Sequence, residues 1–295
     1  MSSTILDTNA SFVAVATQMT GPTSAAIGKL GTIEFQLAYY RWMTRKEDTP
    51  VPEAFLLPLT RNAGMFPPTQ ETAKVMADLL LRSIMELTAL SPWWKPQEEL
   101  GLYRIFNRTA TRISLQGIEC FQSPKPADWW TGQLPAGTRV LVISPFSSTI
   151  EKQVKNLDAI WRARPGLWAP GIQFKCIHFP LSYGIQGPEE QRRMLATYGS
   201  SVGLLEAIQA QMDAQEYDIA IVGAGIHSLP LVAYAKQRGK RAIHTGGGTQ
   251  LYFGIRGGRW DTMADFQPFF NEHWVRPSAT ERPPMLATVE GGCYW

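Results

Sequence analysis

Short apolar runs, each ending in a glycine- or serine-rich turn that passes into helical periodicity, constrain this chain more than any other feature. Thr138 to Ser144 (TRVLVIS), Ile172 to Phe179, Tyr217 to Val222 and Arg241 to His244 are short and largely β-branched or apolar. Thr138 to Ser144 in particular has the pattern of a buried parallel strand. Between them, helical patterns run over Glu189 to Tyr198, about Ser201 to Ala214, and Ser228 to Arg238, the last closed by Gly239 where a helix C′ glycine belongs. Ser148 with Glu151 three residues on reads as a capping box that opens a helix through about Arg162. Strand, helix and strand at this spacing imply a parallel sheet joined by right-handed crossovers and flanked by helices, an α/β chain.

The first half is less regular. Ala25 to Gly28, then Leu30-Gly31-Thr32 and EFQLAYYRW, repeats the same grammar of strand, glycine turn and helix. Thr69 to Leu90 reads as a helix with Val75, Met76, Leu79, Leu80 and Ile84 on one stripe. Thr49 to Pro58, Ser91 to Pro96 and Ser123 to Pro135 are proline-rich connectors. The expected organisation is one α/β unit over residues 1–295 with a helical N-terminal elaboration and a subdomain boundary near 123–137. The tail from Pro277 ends in EGGCYW, and its aromatic residues are expected to dock on the body.

A chain with 44% hydrophobic and 18% charged residues can bury a real core, which excludes disorder, collagen and coiled coil. No run approaches the roughly 18 apolar residues of a membrane helix, and Met1 to Ala10 lacks the basic and apolar regions of a secretory leader. Cys120, Cys176 and Cys293 have no pair or metal spacing, which fits a reducing, cytoplasmic setting and no zinc site. A net charge of +3 without any block of like charges argues against a nucleic-acid partner and suits an anionic small ligand.

Ligands of open parallel sheets bind beyond the carboxyl ends of the strands, where loops meet helix N-termini. That rule selects Gly28, Lys29, Gly31 and Thr32 after the first strand, and Ser144, Phe146 and Ser147 after the TRVLVIS run. It also selects Gly223, Gly225 and Ser228 in GAGIHS, and His244, Thr245, Gly246, Gly247, Gly248 and Gln250 in HTGGGTQ. GAGIHS falls short of a dinucleotide fingerprint, because Ser228 replaces the third glycine and no acid ends the next strand. It serves equally as a close strand-to-helix turn, so an oxidoreductase is the weaker reading. Three successive glycines cost about 0.5 to 1 kcal/mol each, which asks for a backbone reason: a tight turn, or a nest for phosphate or sugar oxygens.

Arg256 and Arg259, set among glycines, are candidates to bind a diphosphate, or face solvent. Glu34, His227 and Asp261 are the candidate acids and bases, with His244 a fourth. No HExxH, Walker A, GxSxG or paired CxxC occurs. Ten tryptophans include the pairs Trp93-Trp94 and Trp129-Trp130, suited to stacking on sugar faces or to the core.

The order GKLGTIE, NAGMFPPT at Asn62 to Thr69, VLVISPFSSTIEKQ at Val140 to Gln153, DIAIVGAG and AIHTGGGTQLYFGIRGGRW resembles polysaccharide-biosynthesis proteins related to glycosyltransferases of the GT-D fold. The resemblance spans about Ile27 to Trp295. It implies a Rossmann-like α/β fold that takes a sugar from a nucleotide-diphosphate donor and passes it to a glycan or other hydroxyl acceptor. In that group an Arg-x-Gly-Asp-x-Glu segment supplies an acidic pair for the donor and a divalent ion. The matching residues here are Lys29, Leu30, Gly31, Thr32, Ile33 and Glu34. Glu34 is kept, and Thr32 stands in place of the first acid. One carboxylate and one hydroxyl hold Mg²⁺ or Mn²⁺ less well than two carboxylates, so metal-independent transfer, or sugar-nucleotide binding without turnover, stays open beside metal-dependent transfer. Oligomeric state is not readable from the sequence.

Overall fold

The computed structural model describes residues 4–45 and 49–295. Met1 to Ser3, the start of the stretch read for a leader, lie outside the described residues. Seven parallel strands form one sheet: β1 (Ala25–Gly28), β2 (Ala89–Leu90), β3 (Thr111–Arg112), β4 (Arg139–Ser144), β5 (Gln173–His178), β6 (Ile219–Val222) and β7 (Arg241–His244). Their spatial order is β3-β2-β1-β7-β6-β4-β5, so strands from both sides of residues 123–137 share the sheet. This is the expected Rossmann-like parallel sheet flanked by helices.

Side-chain alternation along the strands divides the core into two layers. Ala26, Leu141, Ile143, Ala220, Val222 and Ala242 face a layer completed by helices α2 (Thr32–Thr44), α4 (Gln70–Glu86), α9 (Ser201–Asp213) and α10 (Ser228–Gln237). Their neighbours Ile27, Val140, Val142, Ile219, Ile221 and Ile243 face an aromatic layer holding Phe121, Trp130, Trp161, Trp168, Tyr252 and Phe253. Helix α1 (Thr8–Thr20), capped by the Asp7 side chain, packs on that second layer. The remaining helices are α3 (Glu53–Arg61), α5 (Pro96–Phe106), α6 (Ser147–Gln153), α7 (Leu157–Ile160), α8 (Pro188–Tyr198) and α11 (Gly248–Tyr252).

Several local expectations are corrected. The helix expected over Thr69 to Leu90 is capped by Thr69 but ends at Glu86, and Ala89–Leu90 form β2. Val75 lies off its buried stripe, which runs through Ala73, Met76, Ala77, Leu80, Leu81 and Ile84. Ser148 does not cap a helix, since α6 begins at Ser147, but the helical path runs on through a 3-10 turn over Val154–Asn156 and α7 to Ile160, close to the expected end near Arg162. The capping box forms instead at Ser278 and Glu281. The connector Thr49 to Pro58 contains the start of α3.

Candidate functional site

Strand register sets the carboxyl ends side by side. Ile27 pairs with Ile243, Val222 with His244, and Ile143 with Val222. The loops that follow surround a cleft of about 260 Å³, walled on one side by the tail residues Val289, Glu290, Tyr294 and Trp295. The chain leaves β4 toward β5 and leaves β6 toward β7, in opposite directions, so the cleft sits at a topological switch point.

In the first loop, Gly28 ends β1 away from the cleft lining, where a Cβ would lie 2.9 Å from Leu229 Cδ1. Lys29, Gly31, Thr32 and Glu34 line the cleft. Lys29 Nζ stands 4.4 Å over the Trp93 ring, and the Trp93 indole N–H donates to the Leu30 carbonyl at 2.7 Å. Among the described residues no carboxylate lies within ion-pair distance of Lys29. Burial pushes its pKa down, against the raising influence of Glu119 and Glu34. Gly31 is the N-cap of α2, and the Glu34 carboxylate folds back over it so closely that a Cβ there would overlap it. Burial pushes the Glu34 carboxyl up, with Lys29 opposing.

After β4, Ser144 and Phe146 line the cleft, with Ser144 Oγ accepting the Phe146 N–H at 3.1 Å. Ser147 lies outside it, its hydroxyl 3.1 Å from His178 Nδ1. After β6, Gly223 and Gly225 line it. Gly225 has φ +54° and sits against the Ala63 carbonyl, which accepts the Ile226 N–H at 2.9 Å. Ser228 is buried, its hydroxyl accepting the Ala224 N–H at 2.8 Å, so it pins the turn rather than facing a ligand. His227, expected as a reserve base, is not part of the lining. It is wholly buried 5.1 Å from the Phe179 ring with neither nitrogen hydrogen-bonded, and burial pushes its pKa down to about 4.

After β7, His244, Gly246, Gly247 and Gln250 line the cleft, while Thr245 is buried with its hydroxyl 2.5 Å from that of Thr249. Burial, followed by Lys29, pushes the His244 pKa down to about 3, leaving a neutral ring. The three glycines answer three different neighbours. Gly246 takes φ +57°, a left-handed turn that favours glycine. A Cβ on Gly247 would lie 2.8 Å from Tyr294 Cε1, and one on Gly248 would overlap Glu119. Gly248 faces that carboxylate instead of the cleft, which narrows the expected nest to Gly246 and Gly247.

The two arginines separate. Arg259 lines the cleft, ion-paired to Glu290 with its guanidinium 4.7 Å from the Tyr294 ring. Arg256 does not reach it, because it pairs with Asp261 at 3.0 Å and lies 4.5 Å from the Phe270 ring. Asp261, the other reserve base, is held between Arg256 and Arg276. Burial pushes its carboxyl up, but the two arginines outweigh this and hold it below its usual range.

Sequence reasoning missed Glu99, Glu119, Glu290 and Asn62. Glu99 is fully buried and accepts the N–H groups of Trp94 and Lys95, each at 2.8 Å, which fixes where Trp93 projects. Asn62 lies in the quoted NAGM motif, which carried no assigned role. Of the tryptophan pairs, Trp93 lines the cleft, Trp94 is 37% exposed beside it in sequence, and Trp129 and Trp130 belong to the core.

The residues at the expected metal position do not fit a divalent ion. Glu34 is the sole carboxylate of the motif, Thr32 offers only a hydroxyl, and the Lys29 ammonium acts on the same carboxylate. Among the described residues no group of three or more His, Cys, Asp or Glu side chains is placed to hold a metal. Nor is any described helix long and apolar enough to cross a membrane.

No family model and no curated protein matches the chain. A solved structure described as "The highly conserved domain of unknown function 1792 has a distinct glycosyltransferase fold" aligns over 90% of this chain and 98% of its own, at 11% identity and a TM-score of 0.34. So loose an overlay transfers no residue role.

Proposed function

We propose that the protein is a glycosyltransferase that draws a sugar from a nucleotide-diphosphate donor and passes it to a hydroxyl of a glycan acceptor. The observation that carries this reading is Lys29, a cation without a carboxylate partner, set in a cleft of strand-end glycines at the switch point of a parallel sheet. A departing nucleoside diphosphate needs its growing charge stabilised by fixed cations and N–H groups. Lys29, Arg259 and the Gly246-Gly247 turn face the same space and meet that demand. Glu34 is the carboxylate beside them. Its raised pKa moves it toward the range in which a carboxylate accepts and returns a proton near neutral pH, as activation of an acceptor hydroxyl requires. The motif order from GKLGTIE to GIRGGRW supports the same class.

In this reading donor binding is metal-independent, with Lys29 and Arg259 compensating the diphosphate charge. Thr32 in place of an acid favours a second reading, a sugar-nucleotide-binding protein without turnover. A thermal-shift panel of UDP, GDP, dTDP and CMP sugars with and without Mn²⁺ tests the first step, because a ligand that binds only the native state raises the melting temperature. A shift with one nucleotide, equal with and without Mn²⁺, is expected; no shift with any of them overturns both readings. Release of free nucleoside diphosphate on adding acceptor then separates transferase from binder.

A further inference from the structure

We infer that Glu290 is a charge gate on the cleft: its carboxylate occupies the Arg259 guanidinium, and an entering diphosphate binds by displacing it. The inference rests on reading the cleft as a diphosphate site. Glu290 projects from the tail into the lining beside Arg259, which is one of three cleft cations, Lys29 and Arg61 being the others. Arg259 and Lys29 feel each other's charge, and Glu34 feels both Lys29 and Glu290. Three cations and two carboxylates thus line the space, and among them only the Arg259–Glu290 pair is closed into an ion pair.

The backbone at this point is unusual. Glu290 has φ +46°, the one positive φ outside glycine among the described residues, and Gly291 and Gly292 follow at +72° and +81°. A glutamate gains nothing locally from the left-handed region, so the turn is held by what surrounds it. Its flanks are anchored. Val289 is buried, the Arg259 N–H donates to the Cys293 carbonyl at 2.9 Å, and the Trp295 indole donates to the Glu281 carbonyl at 2.7 Å. Opening the gate is therefore a swing of one exposed side chain and leaves the tail in place. Any anion that takes up Arg259 must overcome this ion pair. Weakly held anions stay out, whereas a diphosphate that also engages Lys29 replaces the carboxylate.

The test uses inorganic pyrophosphate as a base-independent probe, titrated by calorimetry into the full chain without metal. Glu290→Gln and Glu290→Asn both remove the charge, while asparagine tolerates the left-handed backbone better than glutamine, so agreement between them isolates charge from conformation. Both are expected to bind pyrophosphate about tenfold more tightly than the wild type, the effect of one opposed ion pair. The gain is expected to vanish in the Arg259→Gln background. Glu272→Gln, which removes a negative charge from the Arg162 pair outside the cleft, is expected to leave affinity unchanged. Unchanged or weaker binding in both Glu290 variants, while Arg259→Gln alone weakens the wild type, overturns the gate and spares the diphosphate reading. If Arg259→Gln leaves the wild-type affinity unchanged, or no protein in the set binds, the diphosphate reading falls and the gate falls with it.

Discussion

Lys29 holds its ammonium 4.4 Å over the ring of Trp93, and that indole is itself fixed by its hydrogen bond to the Leu30 carbonyl. The lysine is therefore positioned by an aromatic face and not by a carboxylate, which keeps its charge available to a ligand. Glu99 completes the arrangement from beneath by gathering the backbone N–H groups of Trp94 and Lys95.

Replacing Lys29 by Met should separate binding from stability. A half-buried cation without an ion-pair partner carries a desolvation cost that a thioether of similar length does not. Lys29→Met is expected to raise the melting temperature of the free protein by a few degrees and to abolish the ligand-induced shift. A variant that melts lower than the wild type yet keeps the ligand shift would remove Lys29 from the site.

His227 predicts a pH dependence of stability. Its folded pKa of about 4 lies below the ordinary 6.5, so below pH 6.5 the unfolded chain takes up the proton that the folded chain refuses. Stability is at its full value above pH 6.5 and falls as pH drops from there toward 4, by about 3 kcal/mol at most from this group. His244 adds a loss of the same sign that extends to about pH 3. His227→Leu removes two unpartnered buried nitrogens and the first titration. Urea unfolding of this variant should show a gain over the wild type that is larger at pH 5 than at pH 8, and equal gains at both would assign the effect to packing alone.

Gly225 is held from two sides, by its φ of +54° and by the Ala63 carbonyl, which a Cβ would overlap. Backbone atoms cannot yield as a flexible side chain can. Gly225→Ala is expected to cost about 2 to 4 kcal/mol in urea unfolding, the sum of left-handed strain and displacement of the Asn62–Gly64 segment. It should also weaken ligand binding, because both segments line the cleft.

The sheet was legible because β1, β4, β6 and β7 are apolar runs and the edge strand β5 alternates apolar with polar residues, each broken by glycine, serine or proline. Strands β2 and β3 were not, since two residues have no period and Ala89–Leu90 continue the apolar sequence of the preceding helix. The strand-end rule placed Lys29, Glu34, Gly223, Gly225, His244, Gly246 and Gly247 in one cleft. It could not separate Arg259 from Arg256, because glycines flank both. The partners that divide them are Asp261, five residues along the chain from Arg256, and Glu290, a tertiary contact of Arg259. His227 followed a strand end as the rule asks, yet its ring turned inward against Phe179, a choice of side-chain direction that spacing alone does not fix.

Glu281 ties the tail wall of the cleft to helix α6. Its buried carboxylate accepts the Thr149 N–H at 3.0 Å, the Ser278 N–H at 3.1 Å and the Ser278 hydroxyl at 3.0 Å, and also bonds the Thr149 hydroxyl. Glutamine keeps the volume but turns one acceptor oxygen into an amide donor that faces donors already in place. Glu281→Gln is therefore expected to cost about 1 to 3 kcal/mol, the penalty of leaving buried N–H groups unpaired. The loss should be felt first at Trp295, whose indole bonds the carbonyl of the same residue. Hydrogen exchange at the Trp295 indole N–H should be faster in Glu281→Gln than in the wild type. Equal exchange rates would mean that the aromatic packing of Trp295 on Phe146, with ring centres 6.0 Å apart, holds the tail without help from the carboxylate.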